Sequence, residues 1–182
     1  MRKFIGCLVT AIALIALPHI ALAQREASRP THEFGVDLGA MFGHYSDCTA
    51  DCGSFQAGTP LDLRVGFISG KTSFEPRVSL SYISQGGDHL LLVNPDLNVL
   101  FPMGSSTAHK GLYVTTGAGI NIIDAGSNGS ANQFSLNGGV GTRVPFESAA
   151  WRIEGFVRYN LSNSDFVASY NIGVRVGLSM WH

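Results

Sequence analysis

The chain has 182 residues, of which 45% are hydrophobic and only 14% are charged. The charged share is well below the roughly 25% of an ordinary soluble domain, so surface charge does little to keep this protein dispersed. Twelve Lys and Arg against thirteen Asp and Glu exclude the strongly basic surface of a nucleic-acid-binding protein, so no nucleic-acid partner is expected. Twenty-two Gly and only seven Pro exclude a collagen-like or a disordered chain.

The N-terminal segment has the layout of a secretory signal. Arg2 and Lys3 precede an apolar run, which ends in the small-residue pattern Ala-Leu-Ala at 21–23. We therefore predict that residues 1–23 are a signal peptide that is cleaved after Ala23. An uncleaved anchor helix is the alternative, because the apolar run is almost long enough to span a bilayer.

Two cysteines, Cys48 and Cys52, remain after this cleavage. In an exported chain they most simply form one disulfide, because the compartment is oxidising and the surrounding loop is rich in Gly, Asp and Ser. A metal site that adds His44, Asp47 and Asp51 is the alternative. Closed zinc sites usually take four Cys or His ligands, which favours the disulfide.

The rest of the chain alternates apolar and polar residues with period two, and Gly, Asn, Asp and Ser separate the segments, which is typical of β-strands. No later run reaches the length of a membrane helix. The predicted strands are 32–42, 61–68, 73–84, 90–101, 111–123, 133–144, 151–161 and 170–181. The second of these is short for a membrane crossing, so its start is expected upstream of Leu61.

Every charge in the predicted strands lies on one face, because successive side chains point to opposite sides. That face carries six Arg and no Lys among Gly, Ser and Asn, a composition that suits bidentate pairing with carboxylates in a crowded interior. We predict that it lines the inside of a closed barrel as an ion-pair network. The predicted network residues are Glu33, Asp37, Asp62, Arg64, Glu75, Arg77, Asp96, Arg143, Arg152, Glu154, Arg158 and Arg175.

The opposite face carries no charge, and its aromatic residues lie near the strand ends. Aromatic rings at both membrane interfaces, with aliphatic residues between them, are typical of an outer-membrane barrel. The predicted aromatic girdle is Phe34, Phe42, Phe67, Phe74, Tyr82, Phe101, Phe134, Trp151, Tyr159 and Tyr170. The predicted fold class is all-β: an eight-stranded antiparallel up-and-down transmembrane β-barrel over residues 32–182, with a polar, side-chain-filled interior and a short periplasmic segment at 24–31.

Cross-strand register is predicted from charge, because opposite charges that face each other stabilise a strand pair and like charges destabilise it, by roughly 0.2 to 1 kcal/mol. A two-residue turn at Ser69 and Gly70 would satisfy this rule between the second and third strands. The predicted contacts are Arg64 with Glu75, Asp62 with Arg77, Arg143 with Glu154, and Arg175 with Glu33 or Asp37.

The breaks on the predicted extracellular side carry five acids and two histidines but no Lys or Arg, whereas Lys71 and Lys110 lie in breaks on the other side. We expect the acidic loops to contact divalent cations that bridge lipopolysaccharide, or a basic partner. Solvated turn-forming Asp residues are the alternative. The loop residues concerned are His44, Asp47, Asp51, Asp88, His89, Asp124 and Asp165.

The segments 138–144, 151–159 and 170–179 resemble the last three strands of the small eight-stranded outer-membrane barrels of the OmpA-transmembrane and OmpX type. This resemblance implies residence in the outer membrane of a Gram-negative-type bacterium, in contact with its lipid and lipopolysaccharide. It also implies assembly by the outer-membrane machinery, which recognises the C-terminal strand. Here the ending Trp181-His182 only approximates the usual aromatic one, and Trp181 falls on the inward parity, which allows for a bulge.

Three functions are compatible with these patterns. We favour a non-enzymatic barrel with a structural or surface-interaction role, and we expect no cofactor, because the chain shows no phosphate-binding loop or metal-binding cluster. Some barrels of similar size deacylate lipid A with a His-x-Ser pair, and this chain has Ser162 but Asn160 in place of the histidine, which leaves the hydroxyl without an adjacent base. A soluble periplasmic lipid-binding barrel would instead turn the apolar face inward.

Overall fold

The computed structural model describes residues 31–46, 53–85, 88–124, 130–164 and 166–181. The predicted signal peptide and the predicted disulfide between Cys48 and Cys52 lie outside these residues. Among the residues described, no helix is long and apolar enough to cross a membrane. The strands are β1 (His32–Tyr45), β2 (Gly53–Ser69), β3 (Thr72–Gln85), β4 (Asp88–Pro102), β5 (Gly111–Asp124), β6 (Ser130–Phe146), β7 (Ala149–Asn160) and β8 (Ser169–Trp181).

These strands form a closed barrel in which each strand is antiparallel to its neighbours in the sequence. The first and last strands close it, with Glu33 paired to Trp181 and Tyr45 paired to Ser169. The predicted all-β, eight-stranded antiparallel fold is therefore confirmed. We call the end that holds the connections 69–72, 102–111 and 146–149 the turn end, and the opposite end the loop end.

The apolar side chains face out of the barrel and the charged ones face in. Leu38, Val157 and Val174 are each more than half exposed, whereas Arg158 is 8% exposed and Arg64 is 1% exposed. This orientation confirms the predicted polar interior. The alternative of a soluble lipid-binding barrel, which requires the apolar face inside, is wrong, since the lumen of the described barrel is lined by polar and charged groups.

Strand β2 is longer than its pattern predicts and contains a bulge. It begins at Gly53, upstream of Leu61 as expected, and its register against β1 shifts between the pair Leu38 and Leu61 and the pair Ala40 and Ala57. Because the shift is two residues, the alternation of faces is kept on both sides of the bulge. The segment 53–60 is rich in Gly, Ser, Thr and Pro, which is why its composition indicates a loop.

Inward-facing glycines leave room where neighbouring backbones crowd together. A Cβ atom on Gly139 would lie only 2.6 Å from the carbonyl oxygen of Gly155, a backbone atom that has little freedom to move. Its neighbour Gly138 faces outward, and a Cβ there would meet the carbonyl oxygen of Thr115 at 3.5 Å, an ordinary contact distance. The two adjacent glycines therefore differ sharply in how much space they have.

We expect Gly139→Ala to lower the free energy of unfolding by about 1 to 3 kcal/mol, because the added methyl group overpacks a backbone contact. Gly138→Ala is the matched control and should change that free energy by about 0.5 kcal/mol or less. Urea unfolding of the protein in lipid vesicles, followed by the mobility of folded and unfolded forms on a gel, measures both. Equal effects of the two substitutions would show that the crowding at Gly139 is unimportant.

Candidate functional site

Ten of the twelve predicted network residues form one connected cluster of ion pairs inside the barrel. Its members contribute five carboxylates and five guanidinium groups, so the cluster is neutral as a unit. Buried charges are costly unless they are paired and hydrogen-bonded, and this balance meets that requirement. The members are Glu33, Asp37, Asp62, Arg64, Glu75, Arg77, Arg143, Arg152, Glu154 and Arg175.

Glu154, on β7, contacts three arginines of the cluster and Tyr113. Its Oε1 lies 3.2 Å from Nη1 of Arg77 and 3.5 Å from Nε of Arg175. Its Oε2 accepts from the hydroxyl of Tyr113 at 2.8 Å and from Arg152. Both carboxylate oxygens are therefore occupied, and Glu154 is fully buried.

A second carboxylate, Glu75 on β3, links the two halves of the cluster. It accepts from Nη2 of Arg77 at 2.6 Å and from Nη1 of Arg152 at 2.5 Å, and it lies 3.6 Å from Nη1 of Arg64. Arg64 also donates to Asp37 at 2.7 Å and to Glu33. Four strands are joined through this one chain of contacts.

Two aromatic residues inside the barrel belong to the site but were not among the predicted network residues. Tyr113 is 1% exposed, accepts from Nε of Arg152 at 2.6 Å, and lies with its ring 4.9 Å and 5.0 Å from the guanidinium carbons of Arg143 and Arg152. Phe156 packs under the guanidinium of Arg175 at 3.8 Å. Cation–π contacts of this kind stabilise buried guanidinium groups. The inward parity of both aromatic residues was the available sequence signal.

The remaining two network residues, Asp96 and Arg158, form a separate pair. The guanidinium of Arg158 makes two bonds to the carboxylate of Asp96, at 2.9 Å and 2.7 Å. It also donates to Ser135 at 2.7 Å and to Asn160 at 3.3 Å. Since Asp96 is on β4 and Arg158 is on β7, this bidentate pair reaches across the lumen between strands that are not neighbours.

The predicted register between β2 and β3 is wrong, although both ion pairs predicted from it form: Arg64 lies 3.6 Å from Glu75, and Arg77 lies 3.7 Å from Asp62. Arg64 lies opposite Arg77 and Asp62 lies opposite Ser79, because the two-residue turn is Gly70-Lys71, with Gly70 at a φ of 62°. A glycine suits that left-handed backbone conformation. The unfavourable juxtaposition of the two arginines is offset because Glu75 lies within ion-pair distance of both.

The other two predicted contacts are wrong. Arg143 pairs with Glu33 at 2.7 Å rather than with Glu154, and Arg175 pairs with Asp62 and Glu154 rather than with Glu33 or Asp37. In a closed barrel, inward side chains meet partners across the lumen as well as on the next strand. A rule that considers only facing residues on adjacent strands misses these partners.

Trp181 lies on the inward face without a bulge. Its pairing with Glu33 continues the regular register between β8 and β1, and its ring packs edge-on against His109 at 5.3 Å. His109 belongs to the connection between β4 and β5. Trp181, the last described residue of β8, therefore faces into the barrel at its turn end.

All ten predicted girdle residues point out of the barrel and are between 42% and 60% exposed. At the turn end, Phe67 pairs with Phe74 across β2 and β3. At the loop end, Tyr159 pairs with Tyr170 across β7 and β8. The sequence prediction omitted two outward aromatic residues, Phe55 and Phe146, which are 71% and 43% exposed.

Three of the five predicted acidic loop residues, Asp47, Asp51 and Asp165, lie outside the described residues. The backbones of Asp88 and His89 lie in β4, and Asp124 ends β5. His44 packs against the ring of Tyr170 at 5.2 Å.

The lipid A deacylase alternative requires a base beside the Ser162 hydroxyl, and Asn160 does not provide one. The Asn160 side chain points into the barrel, where it donates to Ser169 at 2.9 Å and accepts from Arg158. Ser162 is exposed in the connection after β7. An amide that is occupied in this way supplies no base to the hydroxyl. In the part of the chain that is described, no three His, Cys, Asp or Glu side chains are grouped as a metal site.

Comparison with solved structures shows which known proteins share this architecture. The neisserial surface protein A, NspA, superposes with a TM-score of 0.59 at 10% sequence identity, over 84% of this chain and 97% of that one. The chain has the fold of the small eight-stranded outer-membrane barrels. Ail of Yersinia pestis, solved with the heparin analogue sucrose octasulfate, gives a TM-score of 0.50 at 11% identity, over 84% of this chain and all of that one. No protein-family model and no curated protein sequence matches.

We expect Glu154→Gln to lower the free energy of unfolding of this barrel by about 3 to 5 kcal/mol, because removal of one partner leaves buried cations uncompensated. Glu147→Gln is the control, since Glu147 is exposed at the turn end, and it should change that free energy by about 0.5 kcal/mol or less. Urea unfolding in vesicles measures both. A loss below about 1 kcal/mol for Glu154→Gln would contradict the central role of this carboxylate.

The pair of Asp96 and Arg158 allows a test by charge exchange. Asp96→Arg and Arg158→Asp should each destabilise the barrel, since each places two like charges together. The double variant should recover more than half of the summed loss, with a coupling of about 0.5 to 3 kcal/mol in a double-mutant cycle. Additive losses in the same unfolding assay would mean that the two side chains do not interact.

Proposed function

We propose that this protein is a non-enzymatic barrel of the bacterial outer membrane that supports the cell envelope and presents its loop end to the exterior. The observation that carries the proposal is the division of the wall into an apolar exterior and a charged, neutralised interior. An exterior band of aliphatic residues between two sets of aromatic rings matches hydrocarbon between two membrane interfaces. The fold shared with NspA supports the same location.

The interior supports a scaffold rather than a wide pore. An eight-stranded barrel encloses little more than its own side chains. Here Arg64 on β2 donates to Glu33 on β1. It also donates to the Ser179 hydroxyl at 2.8 Å and to the Leu178 carbonyl at 3.2 Å, both on β8. Such contacts fasten the wall from within and cross the lumen.

The loop end favours cationic partners. The sequence places Asp47, Asp51, Asp88, Asp124 and Asp165 in or beside the loop-end connections, which contain no Lys or Arg. Divalent cations that bridge lipopolysaccharide, or a basic protein segment, would complement this charge. Ail, in contrast, was solved with a polyanion. We therefore expect this chain to differ from Ail in the sign of the charge that it binds.

Labelling of whole cells tests the location and the orientation together. In a background that carries Cys48→Ser and Cys52→Ser, Ser162→Cys at the loop end should react with a membrane-impermeant maleimide on intact cells. Ser105→Cys at the turn end should react only after the outer membrane is broken, because the turn end would face the periplasm. Both serines are exposed, so the two cysteines are matched in accessibility.

Folding is checked in the same samples by heat-modifiable mobility of the membrane fraction. If intact cells label Ser105→Cys and not Ser162→Cys, the orientation of the barrel is the opposite of the one proposed. Failure of the protein to appear in the outer-membrane fraction would refute the proposed location.

A further inference from the structure

The barrel wall is unpaired between β2 and β3 at the loop end. Pairing of these two strands runs from Ser69 and Thr72 up to Leu61 and Leu80, and the described register ends there. Strand β2 continues to Gly53 with β1 as its partner, and β3 continues to Gln85 with β4 as its partner. Two strand edges therefore face each other without a ladder between them in the described residues.

The bulge and a proline coincide with the point where pairing stops. Pro60 directly precedes Leu61, and its ring lies 3.0 Å from where a Cβ atom on Gly39 would be. Pro60 is even-numbered and faces β1, so its missing N–H interrupts that ladder at the bulge. A bulge bends its strand and increases the local twist, which gives the separation of the β2 and β3 edges a local cause.

Alternation along each strand shows which backbone groups face the gap. The N–H of Ile68 donates to the Thr31 carbonyl at 2.7 Å, so even-numbered residues of β2 point to β1 and odd-numbered residues point to β3. The two-residue shift at the bulge keeps this parity, so Phe55 and Ala57 direct their N–H and C=O groups into the gap.

The facing edge follows from the same alternation. Odd-numbered Leu61 and Phe67 pair with even-numbered Leu80 and Phe74, so even-numbered residues of β3 point to β2. Beyond Leu80, the N–H and C=O groups of Tyr82 and Ser84 face the gap without a strand partner in the described residues. Free strand edges of this kind pair readily with another extended backbone.

Exposed aromatic side chains flank the gap at the level of the loop-end girdle. Phe55 is 71% exposed and Tyr82 is 60% exposed, the two highest values among the large apolar side chains of the described barrel. An extended segment that entered the gap would bring its own outward side chains beside these two rings. The gap therefore offers apolar contacts on the outside as well as backbone partners on both edges.

We infer that this gap between β2 and β3 binds an extended basic peptide segment of a partner protein, which adds a strand to the barrel wall. The inference rests on the proposed function, because it needs the loop end to be accessible from outside. Backbone pairing favours a peptide, and Asp47, Asp51 and Asp88 in the adjoining sequence favour a basic one. A second copy of this chain would bring the same acids against them, which disfavours self-association.

The probe is a fluorescent synthetic peptide of about ten residues in which lysine and valine alternate, titrated onto the full mature protein in lipid nanodiscs. A second peptide replaces every lysine by threonine, and a third carries N-methyl groups on alternate backbone nitrogens. We expect saturable binding of the first peptide. The threonine peptide should bind about fivefold or more weakly because charge is lost, and the N-methyl peptide should not bind because it cannot form a ladder.

Ser84→Pro removes one N–H that faces the gap and leaves the ladder with β4 intact, since Pro76 occupies an equivalent position in the same strand. This substitution should weaken binding of the first peptide about fivefold or more. Ser84→Thr keeps the donor and should bind as the native protein does. If Ser84→Pro does not show the gel mobility of a folded barrel, Phe55→Pro with Phe55→Thr as its control repeats the test on the opposite edge.

Equal binding by the proline and threonine variants, or equal binding of the N-methyl peptide, would overturn strand addition. No binding of the lysine peptide, or cross-linking of two protein copies through the gap, would overturn the basic peptide as occupant. These measurements use purified protein and do not depend on its orientation in cells. If they fail while the cell-labelling result holds, the proposed function stands without this inference.

Discussion

The structure depends on the pairing of charges that have been removed from water. Twelve acidic and basic side chains lie inside the described barrel, each no more than 9% exposed. Their burial is tolerable because the carboxylates and guanidinium groups divide into a neutral cluster of ten and a neutral pair. This requirement explains the use of arginine, whose planar donors can serve two or three acceptors at once. Arg64 bonds to β1 and β8 and lies 3.6 Å from Glu75 on β3, which shows how neutralisation also holds the wall together.

How far the sequence predicts this arrangement depends on the range of the interactions. Strand faces follow from a period of two, which is local, so the inward position of Glu154 and the outward position of Val157 could be predicted. Partners such as Arg143 and Glu33 could not, since they meet across the lumen from β6 and β1. The register at Arg64 was predicted wrongly because the turn backbone at Gly70 and the reach of Glu75 outweigh the repulsion of facing arginines.

The loop end of β2 shows a second limit of sequence-based prediction. The segment 53–60 has the composition of a loop, yet it forms a strand because β1 supplies a paired edge beside it. Tertiary context overrides local preference at such positions. Above the bulge, β2 no longer pairs with β3, so the loop end of β3 has β4 as its strand partner on one side and none on the other in the described residues. Tyr113 was missed for a different reason: an inward tyrosine is interpretable only once its carboxylate and guanidinium neighbours are known.

The opposite directions of the two tryptophans have a spectroscopic consequence. Trp151 is 51% exposed on the outside of β7, and Trp181 lies inward where β8 meets β1. The chain has no other tryptophan. In a lipid bilayer, emission from the first would report contact with acyl chains, whereas emission from the second would report closure of the barrel. A variant in which one tryptophan is replaced by phenylalanine isolates the signal of the other, so the order of the two events can be measured.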